Sequence, residues 1–305
     1  MDFLYLLESI RNPVLTAIFS TITHLGEELL FIVVAMILLW CVDKFEAYFM
    51  LFTGFLGTQI NQLLKVTFRI ERPWKLDPNF NAVESALPEA TGYSFPSGHT
   101  QSAAGTFGAI GLWSKKNWLR IVCFVLIALV AFSRMYLGVH TPLDVGVSLL
   151  VAAVLLAVLY PLMKKIGGNP KGMRILLWVL VAISAAQAIY MTVTLFGTTE
   201  EELISGLKNA YKMLGAVAGM VVVYELDERF IHYPTNAVWW AQILKVVLGL
   251  GLTLGVKELC YAVFSFIEWQ PLSRVFSYFF MVLFAGAVWP LTFRWFAKLG
   301  RKKEA

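Results

Sequence analysis

Charge is scarce in this chain. Of 305 residues only 15% are Asp, Glu, Lys or Arg, against 58% hydrophobic, where a soluble domain is typically about a quarter charged. With a mean hydropathy of +0.69, that shortage excludes an ordinary water-soluble globule and makes lipid the solvent. Cysteine is scarce too. Cys41, Cys123 and Cys260 all fall in apolar runs without ligand spacing, which excludes a secreted disulfide framework and leaves buried thiols. No Asn-x-Ser/Thr acceptor occurs, which favours a bacterial plasma membrane, with the endoplasmic reticulum as the alternative. The opening MDFLYLLESIRNP carries Glu8 where a cleavable signal has a positive n-region, so no signal peptide is expected. Nor does the net charge of +5 imply nucleic acid, because Lys and Arg sit in short gaps between apolar runs rather than on a solvated face.

What is abundant is apolar sequence in runs long enough to cross a bilayer. Residues 28–43, 46–66, 99–114, 118–138, 142–163, 173–197, 206–224, 237–263 and 274–297 predict about nine spans. Residues 1–24 are apolar but interrupted by Glu8, Arg11, Asn12 and Pro13, which predicts an interfacial helix. The expected fold is therefore an all-α, multi-spanning integral membrane bundle. It divides into that helix, a core over 25–166 and a four-helix extension over 167–305, split at Gly167-Gly168-Asn169-Pro170. Lys115, Lys116, Arg120, Lys164, Lys165, Lys171, Arg174 and the tail Lys298, Arg301, Lys302 and Lys303 fall on one side of a nine-span chain, which makes that side cytoplasmic. The gap from Pro73 to Pro96 is the sizeable loop, on the opposite face, and is long enough for a lid or collar.

Three polar clusters fall at the outer ends of the second to fifth spans. Lys65, Arg69 and Arg72-Pro73 close the second. At about 100° per residue Lys65 and Arg72 share one helix face, and cations gathered there repel one another unless an anion lies between them. Pro96-Ser97-Gly98-His99 precedes a small-residue helix. Ser97 suits its N-cap, Gly98 lets a ligand approach the backbone, and the helix N-terminus offers unsatisfied N–H groups to an anion. Ser133-Arg134 is followed by His140-Thr141-Pro142-Leu143-Asp144. There Thr141 and Pro142 read as a helix start, and Asp144 is spaced to fold back on the His140 ring and orient it as a nucleophile. Together the clusters describe a site for a phosphoryl group.

Lys65-(six residues)-Arg72-Pro73, Pro96-Ser97-Gly98-His99 and Ser133-Arg134-(five residues)-His140-(three residues)-Asp144 resemble the three-part signature of the type-2 phosphatidate phosphatase superfamily. The resemblance implies a membrane phosphatase hydrolysing a lipid phosphate or polyprenyl diphosphate. It further implies that His140 forms a phosphohistidine, Asp144 holds its ring, and His99 serves as acid and then base. Lys65, Arg72, Ser97, Gly98 and Arg134 would bind the phosphate. No metal or other cofactor is expected, and the expected partners are the lipid substrate and the membrane, with oligomeric state open. Alternatives are transfer to an alcohol acceptor, a sugar-phosphate phosphatase and a phospholipid transporter.

Other features have ordinary explanations. Gly215-Ala-Val-Ala-Gly219 and Gly251-Leu-Thr-Leu-Gly255 suit close helix packing or dimerisation, and the pattern chooses neither. Lys245, Lys257 and Glu258 are charges in the eighth expected span, a place where function is the first question. The terminal Lys302-Lys303-Glu304-Ala305 reads as a dilysine retrieval signal or as positive-inside bias.

Overall fold

The computed structural model describes residues 1–166, 168–195, 197 and 200–300; Arg301 to Ala305 lie outside this range. Among the described residues the regular structure is helical. The α-helices are α1 (Asp2–Ser9), α2 (Pro13–Thr23), α3 (Glu28–Ile37), α4 (Lys44–Phe68), α5 (Pro73–Leu76), α6 (Gly98–Trp113), α7 (Asn117–Tyr136), α8 (Pro142–Ile166), α9 (Pro170–Thr194), α10 (Glu201–Leu226), α11 (Trp239–Val263), α12 (Gln270–Leu283) and α13 (Phe293–Phe296). Their starts follow capping rules. Asn12 accepts from the Leu15 N–H ahead of Pro13, and Asn169 accepts from the Lys171 N–H ahead of Pro170, each satisfying an orphan donor of the first turn.

Five helical segments are long and apolar enough to cross a membrane: 117–136, 142–166, 170–194, 239–266 and 270–296. A sixth arises if Pro13–Gly26 and Glu28–Val42, bent by 52°, act as one span. The chain is thus a multi-pass membrane protein, while the expected count of nine is not established. Helix α6 has only 16 residues, and α4 and α10 carry polar side chains such as Gln62, Lys65, Glu201, Glu202, Lys208 and Lys212 along their lengths. Apolar side chains including Phe124, Leu150 and Val193 are exposed on the candidate spans, as a lipid solvent requires.

The chain forms two compact units. The first comprises Met1–Val34, Phe49–Lys165 and Gly197–Gly206; the second comprises Ala35–Tyr48, Ile166–Phe196 and Leu207–Ala305. In the first unit Ala103, Phe107, Cys123 and Val130 form one core cluster against Ile22 and Leu25. Ala86, Tyr136, Leu137 and Val139 form another against Leu15, Phe19 and Trp74. The long loop of 73–96 is a fastened collar. Tyr5 Oη donates to Asp77 Oδ2 at 2.8 Å, Asn81 Nδ2 to Glu8 Oε1 at 3.2 Å, and the Val83 N–H to the Leu137 carbonyl at 2.9 Å.

In the second unit, Lys245 is fully buried. Its Nζ donates to the carbonyls of Trp40 at 2.8 Å and Thr235 at 3.2 Å and lies 4.5 Å from the Phe293 ring centroid, which accounts for this intramembrane charge structurally. Lys257 and Glu258 pair with each other at 3.3 Å. Gly215 and Gly219 pack α10 on α12: a Cβ at Gly215 would lie 2.2 Å from the Val275 carbonyl oxygen, and one at Gly219 2.9 Å from that of Phe279.

Candidate active site

All the site residues expected from sequence fall in the first unit, and the backbone explains how they meet. Helix α4 stops at Phe68, where Arg69 takes a left-handed φ of 48°. Lys65 and Arg72 therefore do not share a helix face, contrary to the expectation from spacing. Arg72 comes from the loop, and both cations grip the same stretch of collar. Arg72 donates from Nε to the Gly92 carbonyl at 3.0 Å and from Nη2 to that of Thr91 at 2.8 Å. Lys65 Nζ donates to the carbonyls of Tyr93 and Ser94. Arg69 folds back, its Nε donating to the Val66 carbonyl at 3.1 Å.

The third Arg72 nitrogen reaches His140. Nη1 donates to the Val139 carbonyl at 3.0 Å and lies 3.1 Å from His140 Nε2. A guanidinium has no acceptor, so Nε2 presents its lone pair there and the ring proton belongs on Nδ1. His140 is buried. Burial, and then the neighbouring Arg72, Arg134 and Lys65 cations, hold its pKa well below the usual imidazole value, so the ring is neutral. The turn delivering it from α7 has the N–H groups of Val139 and His140 on the Arg134 carbonyl at 3.1 and 3.3 Å. It passes through Gly138 at φ 78°, a conformation that favours glycine.

Asp144 sits 3.5 Å from His140 Nδ1 through Oδ2, yet Nδ1 has no hydrogen-bond partner. The same Oδ2 accepts from Ser94 Oγ at 2.6 Å and the Thr141 N–H at 2.7 Å, while the Asp144 N–H donates to Thr141 Oγ1 at 3.3 Å. The carboxylate thus closes a reciprocal cap on α8 and ties collar to helix, with the imidazole next to it.

Ser97 caps α6. Its Oγ accepts from the N–H of Thr100 at 3.4 Å and from Thr100 Oγ1 at 3.0 Å, and its own N–H donates to the Asp144 carbonyl at 3.1 Å. Gly98 is exposed, with nothing within 4 Å of where a Cβ would lie, so the first turn of α6 opens to an approaching ligand. His99 Nε2 is buried without a partner, as are Arg134 Nε and Nη2. Arg134 Nη1 donates to Thr23 Oγ1 at 2.6 Å. Sequence reasoning missed Thr23, which lies 111 residues away in a segment read as interfacial; it also missed Ser94, whose sole signal was its place two residues before Pro96. Among the described residues no group of three or more His, Cys, Asp and Glu gathers as a metal site.

The first unit opens a cavity of about 320 Å³ lined by Arg72, Trp74, Lys75, Thr91, Gly92 and Glu202, among others. Arg72 joins this cavity to His140. Lys75 Nζ pairs with Glu202 at 2.7 Å and Tyr93 Oη donates to Glu200 at 2.9 Å, so the start of α10 is fastened to the same collar.

Residues 46–167 match the PAP2 superfamily, and residues 211–302 match the PAP2 superfamily phosphatase transmembrane extension. Sphingosine-1-phosphate phosphatase 1 of Rattus norvegicus is 26% identical over 275 residues, covering 83% of this chain and 61% of that protein. Phosphatidylglycerophosphatase B of Bacillus subtilis is 30% identical over 149 residues, covering 45% of this chain and 69% of that protein. Undecaprenyl-diphosphatase BcrC of the same organism is 35% identical over 103 residues, covering 34% of this chain and 50% of that protein. No solved structure gives a significant match. With its signature residues gathered around one buried imidazole and both regions matched, the chain belongs to the PAP2 superfamily.

Proposed function

We propose that this chain is a membrane phosphatase that hydrolyses a lipid phosphate or polyprenyl diphosphate through a phosphohistidine on His140. The observation that carries the reading is the 3.1 Å contact between Arg72 Nη1 and His140 Nε2. Around it Arg134 Nε and Nη2 and His99 Nε2 are buried and unpartnered. Buried donors left unpaired are unfavourable, and a phosphoryl group satisfies them. Its oxygens take the N–H groups of Arg72, Arg134 and Lys65 and the backbone N–H of Gly98 at the α6 N-terminus.

In the first step Arg72 Nη1 turns from His140 Nε2 to a phosphate oxygen, and the freed Nε2 lone pair forms a bond to phosphorus as the P–O bond to the leaving group breaks. Burial and the neighbouring cations keep His99 neutral in the free protein. The charge of the bound phosphate offsets those cations, so the ring takes up a proton on binding and delivers it to the departing oxygen. In the second step water attacks phosphorus, the P–N bond breaks, and the water proton passes to His99, restoring both rings. Asp144 stabilises the charge that develops on the imidazole and holds the loop that carries it. The cations balance the phosphate charge, so the reaction requires no metal. Lys115, Lys116 and Arg120 at the far end of α6 and the start of α7 support an extracytoplasmic pocket, most simply in a bacterial plasma membrane.

The test is phosphate release by the full chain in detergent with excess EDTA, across phosphatidate, phosphatidylglycerol phosphate, undecaprenyl diphosphate, a sphingoid-base phosphate and a sugar phosphate. A lipid is expected to win, vanadate to inhibit, and His140→Ala to lower turnover on the order of a thousandfold or more. A His140→Ala enzyme of near-normal rate removes the nucleophile, and strict dependence on added Mg²⁺ overturns the metal-free mechanism.

A further inference from the structure

We infer that the turn from Thr23 to Gly26 is a positioning element of the reaction centre: Thr23 aims the Arg134 guanidinium at the phosphoryl group, and Gly26 sets the place of His99. The inference rests on the proposed phosphatase reading and adds residues that lie ahead of the segment matched to the family, 46–167.

Thr23 and Arg134 are both buried, at 5% and 1% exposure. Thr23 Oγ1 takes one nitrogen of the guanidinium, Nη1, at 2.6 Å, and Nε and Nη2 are the two left without partners. Those two N–H groups lie along one edge of a planar fork, the geometry that meets two oxygens of a phosphate at once. Anchoring Nη1 therefore determines which edge Arg134 presents. Without the hydroxyl, the planar group is free to turn about its stem, and bidentate binding requires it to be ordered again on each encounter.

Gly26 bears on a second residue of the same site, His99. The glycine is buried in the short helical turn His24–Gly26. A Cβ there would lie 2.7 Å from the His99 carbonyl oxygen, 3.0 Å from His99 Cβ and 2.9 Å from Val130 Cγ1. Two of those atoms belong to the first turn of α6, so any side chain at position 26 shifts that turn and the imidazole it carries. One three-residue step in the chain thus touches both the phosphate-binding arginine and the proton-transferring histidine.

Thr23→Val keeps the branched shape and deletes the acceptor. The expected result is a rise in the vanadate inhibition constant and a fall in kcat/KM of about tenfold each, with Thr23→Ser within about threefold of the parent. Should the valine protein not fold, Thr23→Ala, which only removes atoms, gives the same readout. Gly26→Ala is read by leaving group: displacement of His99 slows an alkyl phosphate more than p-nitrophenyl phosphate, whose departure needs little proton transfer, so their rate ratio changes about tenfold. Parent-like vanadate inhibition and kcat/KM in the Thr23 variant, or a parallel loss of both rates in Gly26→Ala, overturns the inference. A parent protein insensitive to vanadate, or an active His140→Ala, strikes instead at the phosphatase reading.

Discussion

His140 is neutral because of what surrounds its turn. Its ring is buried and faces Arg72, with Arg134 and Lys65 nearby, and each of these disfavours an imidazolium. The sign is fixed. A depressed folded pKa makes the ring neutral throughout the range above the usual value of about 6.5, so the acid limb of kcat/KM that reports His140 lies below that pH. A profile from pH 4 to 8 checks it. Stability follows the same sign: the contribution is fully present above about 6.5 and is lost as pH falls towards the folded value, because the unfolded chain binds the proton more readily. Thermal unfolding in detergent at pH 7.5 and 5.0 is expected to show a larger drop for the parent than for His140→Gln.

At the level of helices, two patterns that look alike in sequence behave differently. Gly215 and Gly219 allow α10 to meet the α12 backbone, with a would-be Cβ 2.2 Å from the Val275 carbonyl. Gly251 and Gly255 on α11 have nothing within 4 Å. Backbone cannot move aside as a side-chain tip can, so Gly215→Ala is expected to destabilise by about 1–3 kcal/mol, the usual range for overpacking. Gly251→Ala is expected to leave the melting temperature unchanged or slightly raised, since alanine favours the helix. Melting both variants in one detergent compares them directly. Helix ends carry a second lesson. Lys65 and Arg72 were expected on one face by periodicity, but the left-handed Arg69 ends α4 first. The two side chains converge because both grip the carbonyls of residues 91–94.

For the molecule as a whole, the orientation proposed from the bias of Lys and Arg has a direct consequence. Glu84, in the exposed part of the collar, and Lys115, exposed after α6, are expected on opposite sides of the membrane. Single cysteines placed at these positions, with the three native thiols replaced, are expected to differ in intact cells: Glu84→Cys reacts with an impermeant maleimide and Lys115→Cys does so only after permeabilisation. The reverse pattern puts the pocket on the cytoplasmic side.

The sequence by itself determined the solvent, the helical class, the cap at Ser97 and the residue types of the three clusters, because composition, capping and spacing are local properties. Only the tertiary structure decided what those residues touch. Asp144 lies beside His140 but bonds Ser94 and Thr141. Arg134 finds Thr23 across 111 residues, and Lys245 satisfies itself on carbonyls. Such partners are chosen by which buried polar groups need one another once helices pack, and no local pattern encodes that choice.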